Sequence, residues 1–177
     1  DNALILAVDA TGTTTPAHYT ESYTLYEGWG QTITTLHSEM VASHLAQLST
    51  LGFVYEYITR KAGFVTQVGE RIQHAEAGKL MGLAPFGALQ PNWHRWIQTT
   101  EDSFSLKISA YDIFLEVAAL CKCYDDGEGK AYLRPYLVDL AYKVQKELEQ
   151  ALLHIVNLAI KRTGLKKLCI AGGVGLN

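Results

Sequence analysis

The chain reads as an α/β fold on a mixed sheet whose N-terminal strands are antiparallel. Three observations point there. Ala3-Leu4-Ile5-Leu6-Ala7-Val8 is an unbroken apolar run of strand length. The segment from Glu21 to Leu36 holds two β-rich stretches around Gly28-Trp29-Gly30, the pattern of a hairpin. From Pro135 to Thr163 apolar residues recur at helical spacing, and a short apolar run, Lys167-Leu168-Cys169-Ile170-Ala171, follows Gly164. Strands that alternate with helices bury their apolar faces best as stacked α/β layers.

Taken in order, the first run predicts a strand buried on both faces. It ends in the turn cluster Asp9-Ala10-Thr11-Gly12-Thr13. Glu21 to Glu27 and Gln31 to Leu36 predict its hairpin partners, so the N-terminal quarter holds three successive antiparallel strands. Leu45, Leu48, Phe53, Tyr57 and Ile58 then predict a helix from about Ser43 to Ala62, ended by Gly63-Phe64. Gly52 inside it either weakens the helix or admits a close neighbour. A second helix is expected from Ile72 to Leu83, stopped at Ala84-Pro85-Phe86-Gly87. Residues 88–135 are less regular, with a helix from Ile113 to Cys121 and loops at Cys121-Lys122-Cys123 and Asp125-Asp126-Gly127-Glu128-Gly129. In the long helix Leu137, Leu140, Ala141, Val144, Leu148, Leu152, Ile155, Val156 and Ala159 make one stripe. The last strand is expected to be buried, with Cys169 in the core.

Composition narrows the function classes. The 177 residues are 48% hydrophobic and 19% charged, enough for one sizeable core. A net charge of −3 argues against bulk binding to nucleic acid or anionic membranes. No apolar run reaches the roughly 18 residues of a spanning helix, and the first residues carry no signal-peptide pattern. Cys121, Cys123 and Cys169 do not make a disulfide framework, so a reduced, cytoplasmic protein is expected.

Two turns carry chemical interest. Asp9 at a strand end can hold a hard cation while nearby backbone N–H groups face a phosphate, or it can simply close an Asx-turn on its own backbone. Gly172-Gly173-Val174-Gly175-Leu176-Asn177 allows an anion to approach the backbone, or allows a strand to pack closely. Because the chain stops on this turn, it is expected to be a piece of a larger nucleotide-handling protein. Gly78 to Gly87 is a third candidate, with Lys79 either facing a phosphate or lying on the surface. It does not match the P-loop pattern. The histidines, His18, His37, His44, His74, His94 and His154, lack metal-site spacing and read as structural or surface residues. The aromatic residues between Trp93 and Tyr111 either touch a substrate or belong to the core.

At these residues the chain resembles the O-carbamoyltransferase family of antibiotic, toxin and nodulation-factor pathways, the NodU/CmcH type. Ala3 to Asp9 is similar to the family's strand ending in an aspartate. Gly78 to Gly87 resembles its Gly-Lys-x-Met-Gly-Leu-Ala-Pro-Tyr-Gly block, with Phe86 in place of tyrosine. Thr50 to Tyr55 resembles its Ser-Leu-Gly-x-x-Tyr helix start. Leu140 to Asn177 resembles its long helix, through Ala141, Gln145 and Glu147-Leu148-Glu149, and its Ala-Gly-Gly-Val-x-Leu-Asn turn. The resemblance runs in order along almost the whole chain.

The resemblance implies a fold of the actin/sugar-kinase/Hsp70 (ribonuclease H-like) type, here part of a Kae1-like domain. Residues 1–63 would belong to a first subdomain, and 64–177 to a helical insert and the start of a second. It implies that carbamoyl phosphate and ATP form a carbamoyl-adenylate in a separate YrdC-like domain of the parent chain. The carbamoyl group then passes to a hydroxyl of a small-molecule or natural-product acceptor. It implies a divalent metal (iron, zinc or manganese) with Asp9 as one ligand. Thr11, Gly12, Lys79, Gly82, Gly172, Gly173 and Asn177 would line the cleft for nucleotide or carbamoyl-adenylate. It identifies no catalytic base, and a homodimer is compatible with it. Ala10 stands where glycine is usual and Thr13 where an acidic residue is usual. The family's His-x-x-x-His helix is expected before Asp1 and its Gly-Asp motif after Asn177, so the chain is expected to be inactive alone. The competing readings are a kinase or tRNA-threonylcarbamoylation protein on the same scaffold, and a non-catalytic remnant that holds nucleotide or a partner.

Overall fold

A computed structural model of the chain describes residues 2–10, 14–45, 49–68, 72–124 and 130–177. Its centre is a four-stranded sheet in the order β3-β2-β1-β8. Strand β1 (Asn2–Val8) pairs antiparallel with β2 (Tyr19–Trp29), which pairs antiparallel with β3 (Thr32–Ala42). The hairpin turns at Gly30, whose φ of 61° is left-handed and suits glycine. On the other side of β1, β8 (Leu168–Ala171) pairs parallel, with Leu4 opposite Leu168 and Ala7 opposite Ala171. The structure is therefore α/β with a mixed sheet and packed helices, as expected. This pairing brings the C-terminal end of the chain onto the sheet formed by the N-terminal strands.

Two expectations about burial are corrected. In β1 only Leu4, Leu6 and Val8 are fully buried, while Ala3, Ile5 and Ala7 are half-covered. The reason is the period of two: one face meets the helices and the other does not. Strand β8 is exposed along its whole length, Cys169 included, and Ile170 is 50% exposed. It lies at the sheet edge, so an apolar sequence there reports no burial by this chain's own elements.

Helix α1 (Leu51–Lys61) is shorter than the expected 43–62 helix. Thr50 caps it, accepting a hydrogen bond from Phe53 N at 3.3 Å, so the helix starts there; residues 46–48 of the expected helix lie outside the described residues. Strand β3 runs on to Ala42, and Ser43–Leu45 forms a single 3₁₀ turn. The helix expected over 72–83 divides: β4 (Val65–Val68) and β5 (Ile72–Ala75) form a hairpin, and only α2 (Ala77–Leu83) is helical. A hairpin partner four residues upstream supplies the hydrogen bonds that a short apolar run could equally have found in a helix. Strands β6 (Ile97–Gln98) and β7 (Lys107–Ile108) make a small hairpin. Helix α3 (Ala110–Tyr124) continues through Cys121-Lys122-Cys123, which was expected in a loop. The loop read at 125–129 lies outside the described residues.

Helix α4 (Pro135–Thr163) has the bounds its stripe predicts. Pro135 starts it and Gly164, at φ 74°, ends it with its N–H on Ile160 O. It crosses the back of the fold, and Leu137, Leu140, Ala141, Val144, Leu148, Ala151, Ile155, Leu158 and Ala159 enter one core with Leu4, Leu6, Leu25, Val54 and Ile58. Its polar residues matter too. Lys143, 1% exposed, donates to His94 O and lies over the Trp96 ring. Glu147 accepts from Trp96 N at 3.0 Å and Ile97 N at 3.1 Å, and its Oε1 lies 3.5 Å from Lys143 Nζ. Burial pushes the Lys143 ammonium below the usual lysine range, while Glu116 and Glu147 oppose that fall. The pair thus pins the irregular 93–97 segment to the helix. Among the described residues, no helix is long and apolar enough to cross a membrane.

Candidate functional site

The parallel pairing of β1 and β8 sets the site. Two parallel strands end on the same side, so the turns that follow them are neighbours. Beyond the Ala7–Ala171 pair the two chains stay close. A Cβ on Gly172, whose φ is 93°, would overlap the Val8 carbonyl, and one on Gly173 would sit 2.9 Å from Asp9 Oδ1. The approach of one turn to the other requires glycine at 172, where the neighbour is backbone; at 173 the neighbour is the Asp9 carboxylate, which a Cβ would displace. The two turns singled out in the sequence are brought together, which linear order did not reveal.

Helix α1 closes the third side. Thr50 Oγ1 donates to Ala10 O at 2.8 Å, fastening the helix N-terminus to the Asp9 turn. A Cβ on Gly52 would overlap the Ala10 backbone, so Gly52 is what admits the close neighbour. The partial positive charge of a helix start therefore faces the Asp9 turn. Asp9 Oδ1 accepts from Ala10 N, the N–H of the next residue, at 2.8 Å; the donor of an Asx-turn would be Thr11, which lies outside the described residues.

Between these elements lies a cavity of about 270 Å³ lined by Asp9, Ala10, Gly52, Tyr55, Glu56, Arg60, His74, Gly173, Val174 and Asn177, among others. Small-molecule sites start near roughly 300 Å³, so the cavity suits a compact polar group and not a whole nucleotide. Carboxylates (Asp9, Glu56) and cationic or titratable nitrogens (Arg60, His74) share its wall. Arg60 pairs with Glu56 at 2.6 Å one helical turn back. Tyr55 Oη donates to Gln145 Oε1 at 2.8 Å, and Gln145 Nε2 donates to Asn177 Oδ1 at 2.9 Å and Glu149 Oε1 at 3.0 Å. Burial raises the Tyr55 phenol above the ordinary tyrosine range; a hydrogen bond from Asn177 works against that rise and the Glu149 charge adds to it.

The expected site residues divide. Asp9, Gly173 and Asn177 line the cavity, and Gly172 supports its wall. Thr11 and Gly12 lie outside the described residues. Lys79 is exposed, bound to Glu76 at 2.6 Å, and neither it nor Gly82 lines the cavity. A Cβ on Gly82 would meet nothing within 4 Å. The block holding them docks elsewhere: a Cβ on Gly87 would overlap the Val138 carbonyl of α4, and Ala88 N donates to Asp139 Oδ1 at 2.8 Å. Trp96 and Phe104 are core, Tyr111 is exposed, and Trp93 borders a second cavity of about 500 Å³ with Arg134, Tyr136 and Asp139. His154 bonds Ser103 O and His37 pairs with Glu39, as structural histidines do. His74 is the exception, since it reaches the first cavity.

Sequence reading missed Tyr55, Glu56 and Arg60. A usable signal existed: Gly52, Glu56 and Arg60 recur every fourth residue, which is one face of a helix. Among the described residues no group of three His, Cys, Asp or Glu side chains converges as a metal site does. Asp9 offers one hard carboxylate oxygen, while the Glu56 carboxylate is paired with Arg60; Asp9 suits one ligand position and does not by itself hold a metal.

A model of the carbamoyltransferase N-terminus matches residues 1–177. An uncharacterized protein of Synechocystis sp. is 28% identical over 189 residues, covering 100% of this chain. The chain spans 27% of that relative's length.

Proposed function

The chain belongs to the carbamoyltransferase family, and on that premise we propose that it forms one wall of the transfer site of an O-carbamoyltransferase. The observation that carries this reading is the meeting of the Asp9 carboxylate and the Gly172-Gly173 turn at the ends of parallel β1 and β8, under the start of α1. The reaction passes a carbamoyl group from carbamoyl-adenylate, made from carbamoyl phosphate and ATP in a YrdC-like part of the parent chain, to an acceptor hydroxyl. The acceptor oxygen bonds to the carbamoyl carbon, the bond to the adenylate phosphate breaks, AMP leaves, and the hydroxyl proton goes to a base. Backbone N–H groups of the glycine turn stabilise the oxyanion that develops on the carbonyl. Arg60 and His74, which line the same cavity, would meet the phosphate. Asp9 would supply one oxygen to a divalent iron, zinc or manganese ion, whose role would be to polarise a carbonyl or phosphate. Its other ligands would come from outside the described residues. The fold reading that goes with this function is the actin/sugar-kinase/Hsp70 type.

The test uses the full-length protein with carbamoyl phosphate and ATP, with mass spectrometry for carbamoyl-adenylate and pyrophosphate. Adenylate formation is expected. Asp9→Ala should leave adenylate formation intact and slow carbamoyl transfer on the order of 10²-fold. Nucleotide binding without adenylate would overturn the transferase reading. It would favour a nucleotide-holding module, for which the closure of Asp9 on its own Ala10 N–H speaks.

A further inference from the structure

Tyr55, Gln145 and Asn177 come from three elements that are distant in sequence: α1, α4 and the turn after β8. Their hydrogen bonds run in a chain through Gln145. The Tyr55 hydroxyl donates to Gln145 Oε1 at 2.8 Å, and Gln145 Nε2 donates to Asn177 Oδ1 at 2.9 Å. Gln145 accepts through its oxygen and donates through its nitrogen, so the chain of bonds has one direction.

That direction is set by a fourth residue. Gln145 Nε2 also donates to Glu149 Oε1 at 3.0 Å. An ionised carboxylate accepts only, so it must face the amide nitrogen of Gln145 and never its oxygen. Lys146, 2.8 Å from Glu149, holds the carboxylate below the usual glutamate range, which keeps it ionised. Glu149 thus orients Gln145, and Gln145 orients Asn177. The Asn177 oxygen is consumed by the Gln145 nitrogen, and the Tyr55 hydroxyl at the cavity wall is held by the Gln145 oxygen.

This chain of bonds holds a turn with few other anchors. Its backbone bonds are local, Gly175 N to Gly172 O and Asn177 N to Val174 O, and its residues range from half-buried to exposed. Tyr55 and Asn177 line the cavity, whereas Gln145 does not. We infer that Gln145 is a positioning residue: acting through Asn177 and Tyr55, it holds the Gly172–Asn177 turn against Asp9 and α1 in the geometry that receives an anionic ligand.

The ligand class rests on the proposed function, whereas the positioning of the turn does not, and the experiment separates them. In the full-length protein, Gln145→Glu keeps size and shape but offers carboxylate oxygens to two acceptors, Glu149 and Asn177. Gln145→Met keeps the stem and removes the polar atoms. Hydrogen–deuterium exchange of the 168–177 segment is read first, without ligand. Both variants are expected to speed exchange there by roughly fivefold or more, while β2 and β3 stay unchanged. Carbamoyl transfer is read second, with roughly fivefold to thirtyfold slowing expected while adenylate formation is unchanged. Exchange at 168–177 within about twofold of the parent in both variants would overturn the inference, whatever the transfer rate does. Faster exchange across the whole domain would overturn it as well, since Gln145 would then be an ordinary stability residue. Faster local exchange in a parent that forms no carbamoyl-adenylate would sustain the positioning role and refute the transferase reading alone.

Discussion

Gly52 and Gly78 both lie in helices, and the structure predicts opposite outcomes when each becomes alanine. Alanine is favoured over glycine inside a helix by about 1 kcal/mol, so propensity alone predicts that both changes stabilise. At Gly78 a Cβ would meet nothing within 4 Å, and propensity decides. Gly78→Ala should therefore gain about 0.5–1 kcal/mol. At Gly52 the new Cβ would overlap Ala10 Cα and N, which are backbone atoms and do not rotate aside. Either α1 lifts from the Asp9 turn or the turn shifts. Overpacking costs about 1–3 kcal/mol, and lifting the helix also threatens the Thr50–Ala10 hydrogen bond, a further ~1 kcal/mol. The balance for Gly52→Ala is a loss of about 1–3 kcal/mol after the propensity gain. In a unit of this size that corresponds to a midpoint lower by about 2–12 °C. Pulse proteolysis of the full-length protein across a urea series, with peptides from this segment followed by mass spectrometry, reads both variants. A Gly52→Ala protein as stable as Gly78→Ala would refute the reasoning, because the close approach of α1 to the Asp9 turn would then not exist in solution.

Three further outcomes are expected. Lys79→Ala should leave ATP affinity within about twofold of the parent and stability within about 0.5 kcal/mol, since its ammonium pairs with Glu76 at an exposed position; a tenfold loss in calorimetric affinity would restore Lys79 to the site. Glu147→Ala should cost about 3–5 kcal/mol in denaturant unfolding, because it strands buried Lys143 and two backbone N–H groups; a loss below about 1 kcal/mol would show that the pair is not buried in solution. Glu149 carries the pH dependence. Its folded pKa is depressed, so its contribution is fully present above the unfolded value near ~4.3 and is lost as pH falls through the lower folded value. Exchange at 168–177, corrected for intrinsic rates, should accelerate in that acid window and not between pH 5 and 8; acceleration near neutrality would point to another group.

Helix α4 was legible to the residue because its signals are local. A proline starts it, a glycine ends it, and the stripe between them has the helical period. The β2–β3 hairpin was legible for the same reason, through Gly30. The β4–β5 hairpin was not, since Ile72 to Ala75 is too short to distinguish strand from helix without its partner. Cys169 and its neighbours were read as buried because apolar character was taken for burial, and an edge strand breaks that link. Asp9 and Gly173, which line the cavity, were singled out because turn glycines and strand-end carboxylates stand out in a sequence. Arg60, Glu56 and Tyr55 look like the ordinary solvated face of a helix until the cavity is seen.

By itself the sequence determined what depends on neighbours along the chain: the periods of the strands and helices, the turns at Asp9 and Gly172, and the family to which their order belongs. Only the tertiary structure decided that those turns meet, because their contact depends on β8 pairing parallel to β1 across more than 150 residues and on Gly52 letting α1 close over them. It likewise removed Lys79 from the cavity and brought Gln145 behind it. Contacts between distant segments are selected by the packing of the whole core, which no local stretch encodes.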